Sequence, residues 1–554
     1  MRLPDWTKRI ASNLSFAGVL VGAIFFALSL TPSLLPRTAL IQGVLSGCLF
    51  AVGYALGALL EWILNFLELR LPRGRFAVWL KGSVAVISVL LVGLFLAKTS
   101  DWQNEVRAAM SQAPVEYGHP VFVVLVALVP ATILIVIGTL LSHAVQGVSR
   151  RLIRIVPPRV AALGALLIVG VLTALLFSGV LLRGGLRAAD RFFEGLDMVA
   201  GQFGDPPPAN PLSSGSEASL IDWSTIGRDG RDYVRTRPTA AEISSLTGRP
   251  AAEPGRVYVG LRSAPTTEER AELALAELVR IGAFERRALV IIMPVGTGWV
   301  DPPSIKAVEY LLDGDVASVS LQYSYLVSPL SLVIEPDYGK DAAEALFDAV
   351  YRYWTRLPRE TRPRFYLGGL SLGAQASQSS TQFFDIFADP IQGALWVGPP
   401  FTSPIWRWAT RNRQPDSPHW LPRFGDDSSI RFTNGGSDLS TRPGVWGPLR
   451  IAFLQYPSDP IVFFDPDAWY REPEWMAGKP GPGVPDTITW YPVVTFFQLA
   501  MDMALSNASP SGYGHVYSPE DYVESWFALL EPEGWDATRL DVLKALLATK
   551  TGRE

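Results

Sequence analysis

The chain has 554 residues, of which 49% are hydrophobic and only 18% charged, with a formal net charge of -4 and a mean hydropathy of +0.21. A soluble protein carries about a quarter charged residues, so part of this chain must be far more apolar than the rest, and a pI near 5.8 offers no basic surface to nucleic acid. Its one cysteine, Cys48, excludes an intramolecular disulfide.

The apolar part is the first third. Leu14 to Leu30, Ala39 to Leu60, Gly82 to Ala97, Val121 to Leu141 and Val160 to Leu182 are runs with almost no formal charge, each about the length a bilayer core requires. The first follows a basic stretch, Arg2, Lys8 and Arg9, but it is too long for a signal peptide and lacks a small-x-small cleavage site. Five spans are therefore expected within a membrane region over 1–200. Arg70, Arg73, Arg75 and Lys81 lie between spans two and three, and Arg150, Arg151, Arg154 and Arg159 between four and five. The positive-inside rule puts these loops and the N-terminus in the cytoplasm. An odd number of spans then leaves everything after Leu182 outside, as part of an integral cytoplasmic membrane protein whose partner is the lipid bilayer.

Arg183 to Phe193 suggests a helix along the membrane surface or a solvated helix end, and Gln202 to Gly215, with Pro206-Pro207-Pro208 and Ser213-Ser214-Gly215, reads as a linker. A linker and lead-in segment over 201–240 precedes a domain over 241–554. There, short apolar strands alternate with amphipathic helices: Arg256 to Leu261, Ala288 to Met293, Val316 to Gln322, Phe365 to Leu367, Ile391 to Val397 and Arg450 to Tyr456 as strands, with Thr266 to Ile281 as a helix opened by a Thr266/Glu269 capping box. This alternation predicts an α/β domain with a mostly parallel sheet and helices on both faces.

Phe365 to Leu367 runs into Gly369-Leu370-Ser371-Leu372-Gly373 and then into small residues. In a strand-turn-helix context this pattern holds a serine on a tight turn with its hydroxyl raised above the sheet, so Ser371 is a candidate nucleophile. Such a serine needs a base and a carboxylate, in the chain order serine, acid, histidine. Of the four histidines, His119 and His143 belong to the membrane region, and His419 precedes any strand-end acid. His515, in Gly512-Tyr513-Gly514-His515, is the candidate base. Asp459, just past Arg450 to Tyr456, is the first candidate acid, with Asp465, Asp467 and Asp486 as alternatives. Acyl transfer also needs N–H donors for the oxyanion. Leu372, the residue after the serine, supplies one, and Thr297 or Gly298, in the loop after Ala288 to Met293, the other. No metal-ligand spacing and no cofactor motif is present; Gly296 to Gly298 lacks the Lys-Ser/Thr of a phosphate loop.

Ser371 in Gly-Leu-Ser-Leu-Gly, Asp459 in Ser-Asp-Pro-Ile and His515 in Gly-Tyr-Gly-His resemble the α/β-hydrolase superfamily. With Leu30-Thr31-Pro32-Ser33-Leu34-Leu35-Pro36-Arg37, Gly296-Thr297-Gly298-Trp299-Val300-Asp301-Pro302 and Gln322-Tyr323-Ser324-Tyr325-Leu326, the whole chain resembles a bacterial family of membrane-anchored α/β-hydrolases. The resemblance implies an all-α transmembrane N-terminal region followed by an α/β-hydrolase fold with a serine-hydrolase triad. Val295-Gly296 stands where the superfamily commonly has His-Gly. Residues 399–449, with Phe401, Trp406, Trp408, Trp420 and Trp446, fall where such folds carry a cap, whose aromatics could line an acyl pocket, dip toward lipid or simply pack.

Three functions fit. The first is a membrane-anchored extracytoplasmic esterase or lipase whose substrate is an ester or acyl lipid. The second is an acyltransferase that uses the same triad to acylate an envelope sugar or lipid hydroxyl. The third makes the spans the working part, as a transporter or anchor with a degenerate hydrolase domain; the scarcity of charge within the spans argues against it.

Overall fold

A computed structural model describes residues 15–69, 75–116, 119–176, 206–325, 336–380, 389–435, 439 and 444–550. It separates into two compact units, one of Met1–Gly185 with Asp465–Leu505, the other of Leu186–Phe464 with Ser506–Glu554. The domain expected as a continuous 241–554 thus gives up a segment to the first unit.

In the first unit, α1 (Phe16–Ser29), α2 (Ala39–Phe66), α3 (Arg75–Ala109), α4 (Pro120–Leu152) and α5 (Pro158–Leu175) follow in order. The Ser15 hydroxyl caps α1 by accepting from Gly18 N (2.9 Å), and Thr38 caps α2. Four helices, α2, α3 from Trp79, α4 and α5, are long and apolar enough to cross a membrane; α1, with 14 residues, falls short of that length. α3 continues past the Gly82 to Ala97 run through Lys98, Asp101, Glu105 and Arg107, because helical backbone bonds persist where apolar side chains stop. The surface helix expected over Arg183 to Phe193 lies outside the described residues.

Glycines let these helices touch backbone to backbone. A Cβ on Gly57 would stand 2.2 Å from Ala17 O, and one on Gly47 2.3 Å from Ala127 O, so α1 against α2 and α2 against α4 pack through small residues. Between apolar helices in lipid, such van der Waals contact is the main source of association.

The Asp465–Leu505 segment joins this bundle through its Val494–Ala504 helix. Val494 packs with Leu45 and Leu49, and Phe497 and Met501 extend the same cluster toward Phe25 and Leu28. Beside it, the fully buried Arg37 gives Asp502 Oδ1 two hydrogen bonds, from Nε (3.2 Å) and Nη2 (2.9 Å), while Leu34 N–H donates to Oδ2 (3.0 Å). Arg37 N–H donates to Gln103 Oε1 (2.7 Å), and Gln498 Nε2 donates to Thr31 O (3.2 Å). The Leu30 to Arg37 stretch is thus a polar knot tying α1, α2, α3 and the inserted segment.

The second unit is built on seven strands, β1 (Gly255–Val259), β2 (Ala288–Met293), β3 (Val316–Leu321), β4 (Arg364–Leu370), β5 (Gly393–Val397), β6 (Ile430–Thr433) and β7 (Arg450–Leu454). They are all parallel, in the order β1-β3-β2-β4-β5-β7-β6. Apart from Arg364 and Arg450, which open β4 and β7, every strand residue is buried, as expected of a parallel sheet covered on both faces. The Thr267–Arg280 helix starts at the expected capping box and ends at Gly282, whose φ is +64°.

Two sequence expectations change here. The linker read over Gln202 to Gly215 is folded at its end: Leu212 O accepts from Arg256 N (3.2 Å) and Ser214 N donates to Arg256 O (3.2 Å), so small residues lie along the β1 edge. The 399–449 stretch contains β6, so the sheet itself passes through the region expected to be a cap. A parallel sheet brings all strand carboxyl ends to one edge, where ligands bind; the turns after β2, β4, β5 and β7 meet there.

The Arg37–Asp502 pair supports a stability prediction. Asp502→Ala strands a buried guanidinium and is expected to cost about 3–5 kcal/mol, read as a lowered melting temperature of the full chain in detergent, whereas Arg37→Met with Asp502→Leu recovers most of the loss. Equal melting of wild type and Asp502→Ala would refute this role.

Candidate active site

Ser371 follows β4 with φ +55°, a left-handed conformation that a non-glycine residue adopts at a strain cost. Its N–H donates to Val397 O at the end of β5 (2.9 Å), and its carbonyl accepts from Gln375 N (3.0 Å), opening the Leu372–Ser380 helix. Both flanking glycines are required sterically. A Cβ on Gly369 would lie 2.4 Å from Gly373 C, and one on Gly373 2.1 Å from Met293 O. The helix therefore starts against the end of β2, and its first N–H groups, Leu372 among them, lack intrahelical partners.

The loop after β2 is held from three sides. Tyr258 Oη donates to Gly298 O (2.8 Å), Gln322 Nε2 to Thr297 O (3.0 Å), and Thr297 Oγ1 to Asp229 Oδ2 (2.5 Å). Gly298 N–H is consumed in a turn by Val295 O (2.8 Å), and Val295 N–H by Trp299 O (3.0 Å). Of the two expected loop donors, Gly298 is thus already engaged, whereas Thr297 N–H has no backbone partner among the described residues.

Asp459 follows β7 and is fully buried. It caps the short Pro460–Phe463 helix, with Oδ1 accepting from Ile461 N (2.8 Å), while Oδ2 faces His515 Nδ1 at 2.7 Å. The alternative acids Asp465, Asp467 and Asp486 lie in the segment that belongs to the first unit. His515 is only 8% exposed. Its loop is pinned to the acid's turn by Gly514 N–H donating to Ser458 Oγ (2.9 Å), and Gly512 and Gly514 supply positive φ. His515 Nε2 is buried with no hydrogen-bond partner among the described residues.

Gly398 sets the ring's position. It has φ +51°, its N–H donates to Leu454 O (2.9 Å), and a Cβ there would sit 2.8 Å from His515 Cε1. Ser371 is tied to Val397, the residue before it, so the β5 turn links the serine to the imidazole. Gly398 carries no motif signal in the sequence. Neither does Tyr517, which is fully buried and donates from Oη to Asp459 Oδ2 (2.7 Å). Its one legible trait is an i, i+2 spacing from His515, which on extended chain puts two side chains on one face.

The aromatics of 399–449 do not gather as one lining. Phe401 N–H donates to Ile461 O (3.0 Å) and its ring meets Phe464 (5.1 Å); Trp406 Nε1 donates to Gln455 Oε1 (2.6 Å). Trp408 instead packs on Phe424, and Trp446 lies under Arg431 and Arg450.

Sequence comparison agrees with this architecture. Residues 30–238 match the family described as Alpha/beta-hydrolase family N-terminus, and residues 255–543 match the Alpha/beta-hydrolase family. No curated protein and no solved structure gives a match. The second of these matches spans more than half of the chain, which therefore belongs to the alpha/beta-hydrolase family.

Proposed function

We propose that this chain is a membrane-anchored serine hydrolase that cleaves a carboxylic ester through Ser371, His515 and Asp459. The observation that carries the reading is the buried Asp459–His515 pair (2.7 Å), with the serine on its left-handed turn at the same sheet edge. Ser371 Oγ attacks the ester carbonyl carbon while His515 Nε2, the ring nitrogen left unbonded, takes its proton. The N–H groups of Leu372 and Thr297 receive the charge that develops on the carbonyl oxygen. The tetrahedral adduct collapses as His515 returns the proton to the departing alcohol, leaving the acyl group on Ser371. Water, deprotonated by the same nitrogen, then attacks the acyl carbon, and the serine leaves with the proton. Asp459 holds Nδ1 as the donor and stabilises the imidazolium.

We place the reaction on the extracytoplasmic side. Support comes from the contacts of the segment that joins Asp459 to His515 along the chain. Asp502 meets Arg37 between α1 and α2, and Thr487 N and Oγ1 donate to Glu105 Oε1 near the end of α3 (3.2 and 2.6 Å). In consecutive crossing helices these are ends of one side. The basic stretches, Arg70 to Arg75 and Arg150 to Arg159, connect the opposite ends and belong in the cytoplasm by the positive-inside rule.

A fluorophosphonate probe is expected to label the wild-type chain, and Ser371→Ala is expected to abolish labelling; an intact wild type that takes no label overturns the reading. In a Cys48→Ala background, Lys479→Cys should react with a membrane-impermeant maleimide on intact cells, and Arg154→Cys only after permeabilisation. The reverse pattern overturns the sidedness.

A further inference from the structure

We infer that Tyr517 is a positioning residue that sets the basicity of His515 by sharing the carboxylate oxygen on which the imidazole leans. This role rests on the triad reading above. Asp459 Oδ2 takes the Tyr517 hydroxyl and His515 Nδ1 at the same distance, 2.7 Å, while Oδ1 takes Ile461 N (2.8 Å). With the carboxylate fully buried, these bonds replace its hydration. Negative charge drawn toward the phenol is charge not offered to the imidazolium, so the phenol weakens the very interaction that makes the histidine a base.

Several features hold the phenol at its post. Its ring stacks on Tyr456 (centroids 4.4 Å apart, 18° between planes), and Tyr456 is fixed by donating to Asp521 and accepting from Ser518 N (3.0 Å). Opposite, the absent side chain of Gly398 makes the room: a Cβ there would lie 2.9 Å from Tyr517 Oη and 2.7 Å from Cε2. The ring also meets His515 edge-on (81°). Burial, and next the Asp459 charge, push the Tyr517 phenol well above its ordinary range, so it remains a donor wherever the histidine titrates. A tyrosine that only filled space would not need its oxygen on Oδ2; phenylalanine has the same shape.

The test is the pH dependence of fluorophosphonate labelling of the full chain in lipid nanodiscs, from about pH 5 to about pH 9, the range in which histidine titrates. The acid limb reports loss of the neutral imidazole. Tyr517→Phe removes the competing donor, strengthens the hold of Asp459 on the imidazolium, and is expected to move that limb up by about 0.5–1 pH unit. Site-specific 3-fluorotyrosine at 517, a stronger donor of nearly unchanged shape, is expected to move it down, and serves should Tyr517→Phe not fold. Tyr233→Phe, which removes a buried hydroxyl that meets Ser318 and does not touch Asp459, is expected to leave the limb in place. A limb unmoved in Tyr517→Phe, or moved equally in Tyr233→Phe, overturns the role while leaving the triad intact. Absence of labelling in the wild type overturns the triad, and this role with it.

Discussion

One steric constraint governs the carboxyl edge of the sheet: the chain must turn through a left-handed residue at Ser371 while the helix that follows lies almost in contact with the end of β2. Neither condition survives a side chain at Gly369 or Gly373, since the first would drive a Cβ into the backbone of the helix and the second into that of β2. Once the turn is made, the rest follows from parallel geometry. The loop after β2 is brought beside the helix start, and Val397 receives the serine N–H, which fixes the β5 turn and with it Gly398. The imidazole then has one place to lie, because the glycine's missing side chain is the space its ring edge occupies.

The second organising interaction is electrostatic and lies in the first unit. Burying Arg37 and Asp502 together removes two charges from solvent, and such a pair contributes little net stability over apolar packing unless its remaining hydrogen bonds are filled. Here they are filled, by Leu34 N–H on the carboxylate and by Gln42 and Ser33 on the guanidinium. What the pair provides is register: an apolar helix such as Val494–Ala504 could slide along α1 and α2, but a buried carboxylate has one acceptable position.

How much of this was legible in the sequence depends on the range of the forces involved. The strands of the sheet read as continuous apolar runs, the Thr266 capping box as a local exchange of hydrogen bonds, and the serine turn as glycine spacing, because all three are set within a few residues. Chain order, a topological constraint rather than a local one, singled out Asp459 and His515, and the fold brings their side chains to 2.7 Å. β6 was missed because Arg431 interrupts its apolar run; that guanidinium is buried against the Asp427 and Leu439 carbonyls and over Trp446, which only the folded chain supplies. The engagement of Gly298 N–H could not be read either, since glycine spacing announces a turn without saying which donor closes it. Nor could the partnership of Arg37 and Asp502, 465 residues apart in sequence, be seen in the composition of either neighbourhood.

The excursion of Asp465–Leu505 into the first unit also bears on how the chain is made and inherited. The ribosome delivers α1 to α5 long before this segment exists, so the bundle must wait with the polar knot around Arg37 unfinished until the last part of the chain emerges. His515 is synthesised later still, and its loop can close only after the excursion has returned. Neither region is then a separable module. Recombination that exchanged the apolar helices for another bundle would leave the Val494–Ala504 helix without the surface it fits, and a shuffled α/β domain would bring an aspartate for which a foreign bundle has no arginine. The two matched family regions, 30–238 and 255–543, are bound to descend together.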